Sequence, residues 1–373
     1  MSQLFSPYTL SAANGELTLP NRWVIAPMCQ YSADEGLAND WHLTHWTNML
    51  NAGAGMFIIE ATAVSALGRI TPGCLGIWDQ QRGDALGEHL QRARRLAPAT
   101  PVCIQLAHAG RKGSSEAPWR GGGQIALDDG GWVCQAPSAL PHAPHEQAPQ
   151  AMSLGEIDDL RQAFQDAAQR AAQAGIDAIE LHGAHGYLLH QFLSPLANQR
   201  DDDYGGDWQG RTRLARELFA DVSAVFKGPV GVRLSATDWV EGGWGPEDTV
   251  RLSQWLREAG ASFVHISTAG VSPLQKIPVA PGFQLPFAQQ VKAATGLTTI
   301  GVGLVTEPDQ AEAALTQGQV DLIALARGVL FNPRWGWSAA AALGGQVQAS
   351  PQYQRALPAN ARGIFGDFRF GMR

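Results

Sequence analysis

Basic runs are missing from this chain. Its 27 lysines and arginines are outnumbered by 34 aspartates and glutamates, for a formal net charge of −7 over 373 residues. Without a basic tail or stripe, neither a nucleic-acid backbone nor an anionic membrane finds an electrostatic partner, and the expected ligands are small molecules or a second copy of the chain. Long apolar runs are missing too. No stretch approaches the roughly 20 residues of a membrane span, and the N-terminus lacks the charged start and apolar centre of a signal peptide. The expected location is the cytoplasm. Cysteine is scarce: Cys29, Cys74, Cys103 and Cys134 are widely separated and form no C-x2-C pair, which removes the usual zinc and iron–sulfur spacings and reads as reduced thiols.

What remains is an ordinary globular composition, 45% hydrophobic and 16% charged, enough for a sizeable core. Eight runs of β-branched and aliphatic residues recur along it, each followed by a helical pattern: Trp23 to Met28, Gly55 to Val64, Val102 to Ala107, Ala178 to His182, Val230 to Ser235, Phe263 to Ser267, Thr298 to Gly303 and Leu322 to Arg327. Parallel strands joined by crossover helices give this alternation, and eight of them close a (β/α)8 TIM barrel. Before the fourth run, Ser153 and Glu156 form an S-x-x-E capping box, and Gly175 ends that helix after Ala174. No linker separates two domains, so residues 1–373 read as one barrel domain with an N-terminal cap. Residues 111–150, rich in Gly, Pro and Trp, are too long for a common βα loop and read as an excursion over the active face. The tail 344–373 lies outside the eight units.

Side chains alternate faces along a strand. In the fourth run Ile179 and Leu181 point one way and Glu180 and His182 the other, so the polar pair faces the barrel axis. The same parity turns Gln105 and Arg233 inward, away from their aliphatic neighbours. Three strands thus send polar groups inward near their C-terminal ends, where this fold carries its active sites, and a ligand would satisfy what burial alone leaves costly. The alternative is a self-satisfied polar core network. The last two strands end in Gly301-Val302-Gly303 and Ala326-Arg327-Gly328, where small residues expose backbone amides and Arg327 adds charge, a pattern suited to phosphate. His182-Gly183-Ala184-His185-Gly186-Tyr187 places two imidazoles three residues apart, able to donate to one oxygen. With His190 they make an H-x2-H-x4-H series, an imperfect metal pattern that lacks a carboxylate or cysteine set, and His190 reads more simply as a helix residue.

These residues resemble the old yellow enzyme family, in its branch of thermophilic-like ene-reductases and xenobiotic reductases. The resemblance is carried by Ala26-Pro27-Met28-Cys29-Gln30-Tyr31, Glu60-Ala61-Thr62-Ala63-Val64, Gly68-Arg69-Ile70-Thr71, the stretch from Gln105 to Lys112, the segment from His182 to Tyr187, and Asp203-Tyr204-Gly205-Gly206. It implies an FMN bound noncovalently at the barrel mouth, reduced by NADPH or NADH and reoxidised by an alkene conjugated to an electron-withdrawing group. It assigns Gln105 and Arg233 to the pyrimidine edge of the flavin, Pro27, Met28, Cys29 and Ala61 to its ring, and Gly303, Arg327 and Gly328 to its phosphate. His182 and His185 would hold the substrate oxygen, Tyr187 would protonate the α-carbon, Tyr31 would be a second donor to that oxygen, and Cys29 would tune the flavin.

The chain departs from the branch after Gly206, where Asp207-Trp208-Gln209-Gly210-Arg211 stands for the more usual Ser-x-Glu-Asn-Arg, so only Arg211 carries over. The branch also inserts a C-terminal arginine into a neighbouring subunit's site. Gln352-Tyr353-Gln354-Arg355 resembles that segment, making Arg355 a candidate substrate contact in a homodimer or homotetramer, with Phe365, Phe368 and Phe370 following it. Two other readings stay open: a flavin-free phosphate-binding barrel lyase or isomerase, which would need an inward lysine or a metal, and a noncatalytic flavin-binding or redox-sensing barrel.

Overall fold

The computed structural model describes residues 2–12, 15–357, 361 and 363–366; Phe368 and Phe370 lie outside them. In chain order the strands are β1 (Tyr8–Ala12), β2 (Gly15–Leu19), β3 (Trp23–Ile25), β4 (Met56–Ala63), β5 (Val102–Ala107), β6 (Gln135–Ala136), β7 (Gln150–Ala151), β8 (Ala178–Gly183), β9 (Val230–Ser235), β10 (Phe263–Ser267), β11 (Thr299–Gly301) and β12 (Leu322–Leu325). The helices are α1 (Asp40–Leu50), α2 (Gln80–Arg95), α3 (Leu154–Gln173), α4 (Leu188–Leu193), α5 (Trp208–Val225), α6 (Pro246–Glu258), α7 (Leu285–Thr295), α8 (Pro308–Thr316), α9 (Arg327–Phe331) and α10 (Trp335–Leu343). No helix among the described residues is long and apolar enough to cross a membrane.

Strands β3, β4, β5, β8, β9, β10, β11 and β12 close into one parallel barrel, so all eight expected runs are its strands. Four are shorter than their apolar runs: β4 by one residue at each end, while β3 stops at Ile25, β11 at Gly301 and β12 at Leu325. The residues beyond leave the ladder and turn over the barrel mouth. The capping box at Ser153 and Glu156 forms as read, and Gly175 takes φ +82° just past α3.

The strand parity sorts the interior into two layers. At the N-terminal ends, Met56, Ile58, Cys103, Ala178, Phe263, Ile300 and Leu322 make a dry floor, and Leu10 and Leu19 of the β1–β2 hairpin plug it from below. Gly231 makes room for the Phe263 ring, since a Cβ there would lie 2.4 Å from it. The outward-facing set, including Ile25, Phe57, Ile104, Ile179, Leu181, Val232 and Leu234, packs under the helices as the main core. Residues 110–151 run as short 3-10 turns and the two-residue pair β6–β7.

The C-terminal segment leaves over the opposite end. Ser350 Oγ donates to Asn51 Oδ1 (2.6 Å) and the Leu96 carbonyl (3.2 Å), residues that follow α1 and α2 and precede β4 and β5. Tyr353 then sets its edge against Trp337 at 5.8 Å, with the Arg334 guanidinium over both rings. Arg355 is exposed on that segment.

Candidate active site

Above the dry floor the interior turns polar. Gln105, Glu180, Arg233 and His265 project from β5, β8, β9 and β10, all buried. Gln105 Nε2 donates to Glu180 Oε1 at 2.6 Å, and His265 Nδ1 lies 2.8 Å from Glu180 Oε2. Burial alone would raise the Glu180 pKa; His265, Arg233 and Gln105 outweigh it and hold the carboxyl below its ordinary value. His265 is pushed down by burial and by Arg233, which keeps the ring neutral with its proton directed at Glu180. Two polar atoms are left over, Arg233 Nε and His265 Nε2, both buried without a partner. With its amide nitrogen committed to Glu180, Gln105 keeps its oxygen as an acceptor. A guanidinium donor beside an amide acceptor fits the alternating acceptor and N–H groups of a flavin's pyrimidine edge, so the residues present suit the cofactor that the resemblance implies.

The rim of the polar layer is built by turns. Pro27, Met28, Cys29, Gln30 and Tyr31 follow β3 and are half-buried, and Ala61 follows an irregularity in the β4–β5 register at Glu60. Burial, with Cys74 and Glu60 nearby, pushes the Cys29 thiol up, so it stays protonated; the Tyr31 hydroxyl lies near its sulfur. On the far side β11 pairs with β12, and Gly303 and Arg327-Gly328 follow the ends of these two neighbouring strands. A Cβ added at Gly328 would meet nothing nearer than 4.0 Å, which leaves its backbone open to a ligand, whereas Gly303, at φ +125°, packs against the Gln284 side chain. Arg327 is exposed at the start of α9.

His182 ends the inward row of β8. Its Nδ1 accepts the Ala184 N–H (3.4 Å), which leaves the ring proton on Nε2. His185 sits 5.1 Å away ring to ring, and Tyr187 is also 5.1 Å from His182. Burial, then the Arg233 charge, pushes both histidines well below their ordinary pKa, so they act as neutral donors. Burial raises the Tyr187 phenol, which keeps its proton. The bend that brings these rings together is held in left-handed backbone at His185 (φ +60°) and Gly186 (φ +74°). Four bonds fix it. His185 N–H donates to Ser235 Oγ, Gly186 N–H donates to His190 Nδ1, and Lys112 Nζ donates to the carbonyls of His185 (2.9 Å) and Gly270 (3.1 Å). His190 in turn meets Asp238 Oδ1 at 2.8 Å through Nε2, so it is a helix residue that braces the loop. Among the described residues no group of three or more His, Cys, Asp or Glu side chains is placed to hold a metal ion.

Sequence parity alone would have found His265, which falls in register with Arg233 on an inward position that the strand reading left unexamined. Ser267 follows it inward and meets His185 Nε2 at 2.7 Å. Lys112 and Arg111 were legible only as parts of a motif. Their side chains meet the loops of β8 and β10 through tertiary contacts that no local pattern announces.

Comparison with known proteins agrees with this geometry. Residues 3–344 match the NADH:flavin oxidoreductase / NADH oxidase family. The chain is similar to the NADPH dehydrogenase of Geobacillus sp. (strain WCH70), 40% identical over 356 residues, covering 95% of this chain and 98% of the relative. The NADPH dehydrogenase of Geobacillus thermodenitrificans (strain NG80-2) is 41% identical over 354 residues, covering 94% and 98%. Among solved structures, morphinone reductase superposes with a TM-score of 0.75 at 25% identity over 94% of this chain and 92% of its own, and its complex with tetrahydroNAD gives 0.74 at 26% identity over 94% of each.

Proposed function

The chain belongs to the NADH:flavin oxidoreductase / NADH oxidase family, the old yellow enzymes, and from that premise we propose that it reduces the carbon–carbon double bond of alkenes conjugated to a carbonyl or nitro group. It is an FMN-dependent NAD(P)H oxidoreductase on a (β/α)8 barrel. When bound, FMN would supply hydride chemistry between NADPH or NADH and the β-carbon of the alkene. In this reading Gln105 and Arg233 hold the pyrimidine edge, Pro27, Met28, Cys29 and Ala61 line the ring, and Gly303, Arg327 and Gly328 hold the phosphate. Residues 1–373 act as one FMN-binding unit.

The observation that carries the proposal is the trio of rings at the end of β8. As the β-carbon gains hydride, negative charge builds on the substrate oxygen. His182 Nε2–H donates there, and His185 donates from Nδ1 once Ser267 gives its hydroxyl proton to Nε2 instead of to Gln284. Tyr31 adds a third donor. Donors fixed before the reaction stabilise this charge more than the ground state, each by about 10²–10³ in rate. The Tyr187 phenol delivers the proton to the α-carbon, completing addition of H across the double bond. Arg355 is exposed on the segment that leaves at the end opposite its own barrel's mouth, so in this reading its role in substrate binding belongs to a neighbouring copy in a homodimer or homotetramer, with residues 344–373 at that interface.

The purified holoenzyme should be yellow, bleach anaerobically with NADPH and recolour on addition of cyclohexenone. Bleaching without recolouring by any activated alkene would overturn alkene reduction while leaving the flavin oxidoreductase intact.

A further inference from the structure

Beside Tyr187 and Tyr31 lies a cavity of about 250 Å³, floored by Arg111 and Lys112 and roofed by residues 113–146. Its floor carries two cations taken out of bulk water. Arg111 is 5% exposed and Lys112 is half-buried. Every hydrogen bond their side chains make to protein goes to a backbone carbonyl: Leu140, Pro141 and Val271 for Arg111, His185 and Gly270 for Lys112. Neither takes part in an ion pair among the described residues, although fifteen other pairs form.

Burial draws the Lys112 ammonium down to about 8, and it draws His142 on the same wall down to about 4 with Lys112 and Arg111 adding to the effect. Glu146 offsets part of this positive charge at both cations, but no carboxylate reaches ion-pair distance of either. Two residues of this lining each carry a buried polar atom without a partner, Arg111 Nε and His142 Nδ1. Lys112 Nζ, with two of its three N–H groups used, stands 5.1 Å from the centre of the Tyr187 ring. The two acids of the cavity, Glu116 and Glu146, come from the overlying excursion and are half-buried. They repel an anion under the roof, so one would seat on the floor, against the cations that neither acid pairs with.

We propose that this cavity is a subsite for a carboxylate borne by the alkene, so that the preferred substrates are activated alkenes carrying a carboxylate a few bonds from the double bond. The proposal rests on the alkene-reductase reading above. A carboxylate seated there accepts from the remaining N–H of Lys112 Nζ within the field of the Arg111 guanidinium, and it lies beside the phenol that protonates the α-carbon, so the anchored end of the substrate fixes which carbon faces Tyr187. Charge-assisted bonds of this kind are worth about ten- to a hundredfold in affinity.

The test uses the holoenzyme, with 4-oxocyclohex-2-ene-1-carboxylate and 5-oxocyclohex-3-ene-1-carboxylate, each against its primary amide. The ratio of kcat/KM for acid over amide should reach about tenfold or more for the better isomer. Lys112→Met should bring that ratio to about one, whatever the loss in absolute rate; Lys112→Arg should restore it, and Glu116→Gln should raise it. Turnover of the amides with no preference for either acid overturns the subsite and leaves the reaction standing. Failure to turn over acids, amides and cyclohexenone alike overturns the reaction and the subsite with it. The other source of an oxyanion is the phosphate of the nicotinamide donor. If the variants change the NADPH concentration dependence of flavin bleaching but leave the acid-to-amide ratio untouched, the cavity serves the donor and the alkene assignment falls.

Discussion

The floor and the upper layer of the barrel are made by the same strands on the same inward parity, two residues apart, yet they solve opposite problems. On the floor Met56, Ile58, Cys103, Phe263 and Ile300 fill space with apolar atoms under a hairpin plug. One step up, Gln105, Glu180, His182, Arg233 and His265 place charge and hydrogen-bonding groups in the same enclosed column. The floor gains from burial. The upper layer is costly to bury, and it leaves Arg233 Nε and His265 Nε2 without partners. A barrel can keep such a layer because the floor and the outer core carry the stability, and a ligand supplies the missing partners. The difference teaches that function here is read from layer position as much as from residue type.

Changing the upper layer should therefore cost rate. The double variant His182→Ala, His185→Ala removes two oxyanion donors and should slow flavin reoxidation by cyclohexenone about 10⁴-fold or more in stopped flow, while NADPH bleaching persists. A loss under tenfold would mean that the substrate oxygen is held elsewhere and would break the comparison at its strongest point.

Changing the floor should cost stability. Phe263→Ala empties the space that Gly231 vacates for the ring and should destabilise the fold by about 3–5 kcal/mol in denaturant melts. The FMN dissociation constant of the folded protein should stay within a few-fold. If FMN affinity collapses while the melt holds, the two layers are one unit and the division fails.

Glu60 tests the boundary between them. It is buried on β4 at the register irregularity; Oε2 accepts the Gln30 N–H at 2.8 Å, while Oε1 has no partner and lies 3.7 Å from His42 Nε2. Burial, opposed only by that N–H, raises its pKa from 4.5 to about 8. Below pH 4.5 the folded and unfolded chains are both protonated and nothing is lost. As pH rises towards 8 the unfolded chain ionises first, so the fold loses stability until the native carboxyl ionises too. Glu60→Gln keeps the acceptor and removes the titration. It should be stabilising at pH 9, on the order of a few kcal/mol at most, and nearly neutral at pH 5. A variant equally stable at both values would mean that Glu60 is solvated or paired.

Much of this was legible because parity is a strict rule. With the fourth run a strand, Glu180 and His182 must face inward, and the structure puts them there. His265 obeyed the same rule and needed only the same question asked of the sixth run. The strand ends were less legible. Residues 26–28, 302–303 and 326–327 continue apolar or small past the last ladder bond because they line the mouth, and hydrophobicity alone does not separate a strand from a wall. The floor cations were not legible at all. Arg111 and Lys112 close on carbonyls up to 160 residues away in sequence, and such pairs are set by tertiary folding. The direction of the tail was equally hidden, since only the Ser350 contacts show which end of the barrel it leaves from.

The smallest expected effect falls on Cys29, where the two layers' logics meet: a half-buried thiol on the rim, near Cys74, Glu60 and Tyr31. Burial keeps it neutral, so it contributes no charge to the flavin, and a sulfur is a weak partner for the Tyr31 hydroxyl. Cys29→Ser replaces it with a smaller and stronger acceptor. The flavin midpoint potential should shift by no more than about 30 mV, close to 1.4 kcal/mol for a two-electron couple. The serine should also hold Tyr31 more firmly, drawing that donor from the substrate oxygen, so KM for cyclohexenone should rise a few-fold with the bleaching rate by NADPH little changed. Spectroelectrochemistry and the two half-reactions measured separately distinguish the outcomes. A shift well beyond 30 mV would require a thiolate beside the flavin, and would move Cys29 from the packing of the rim into the charged layer above the floor.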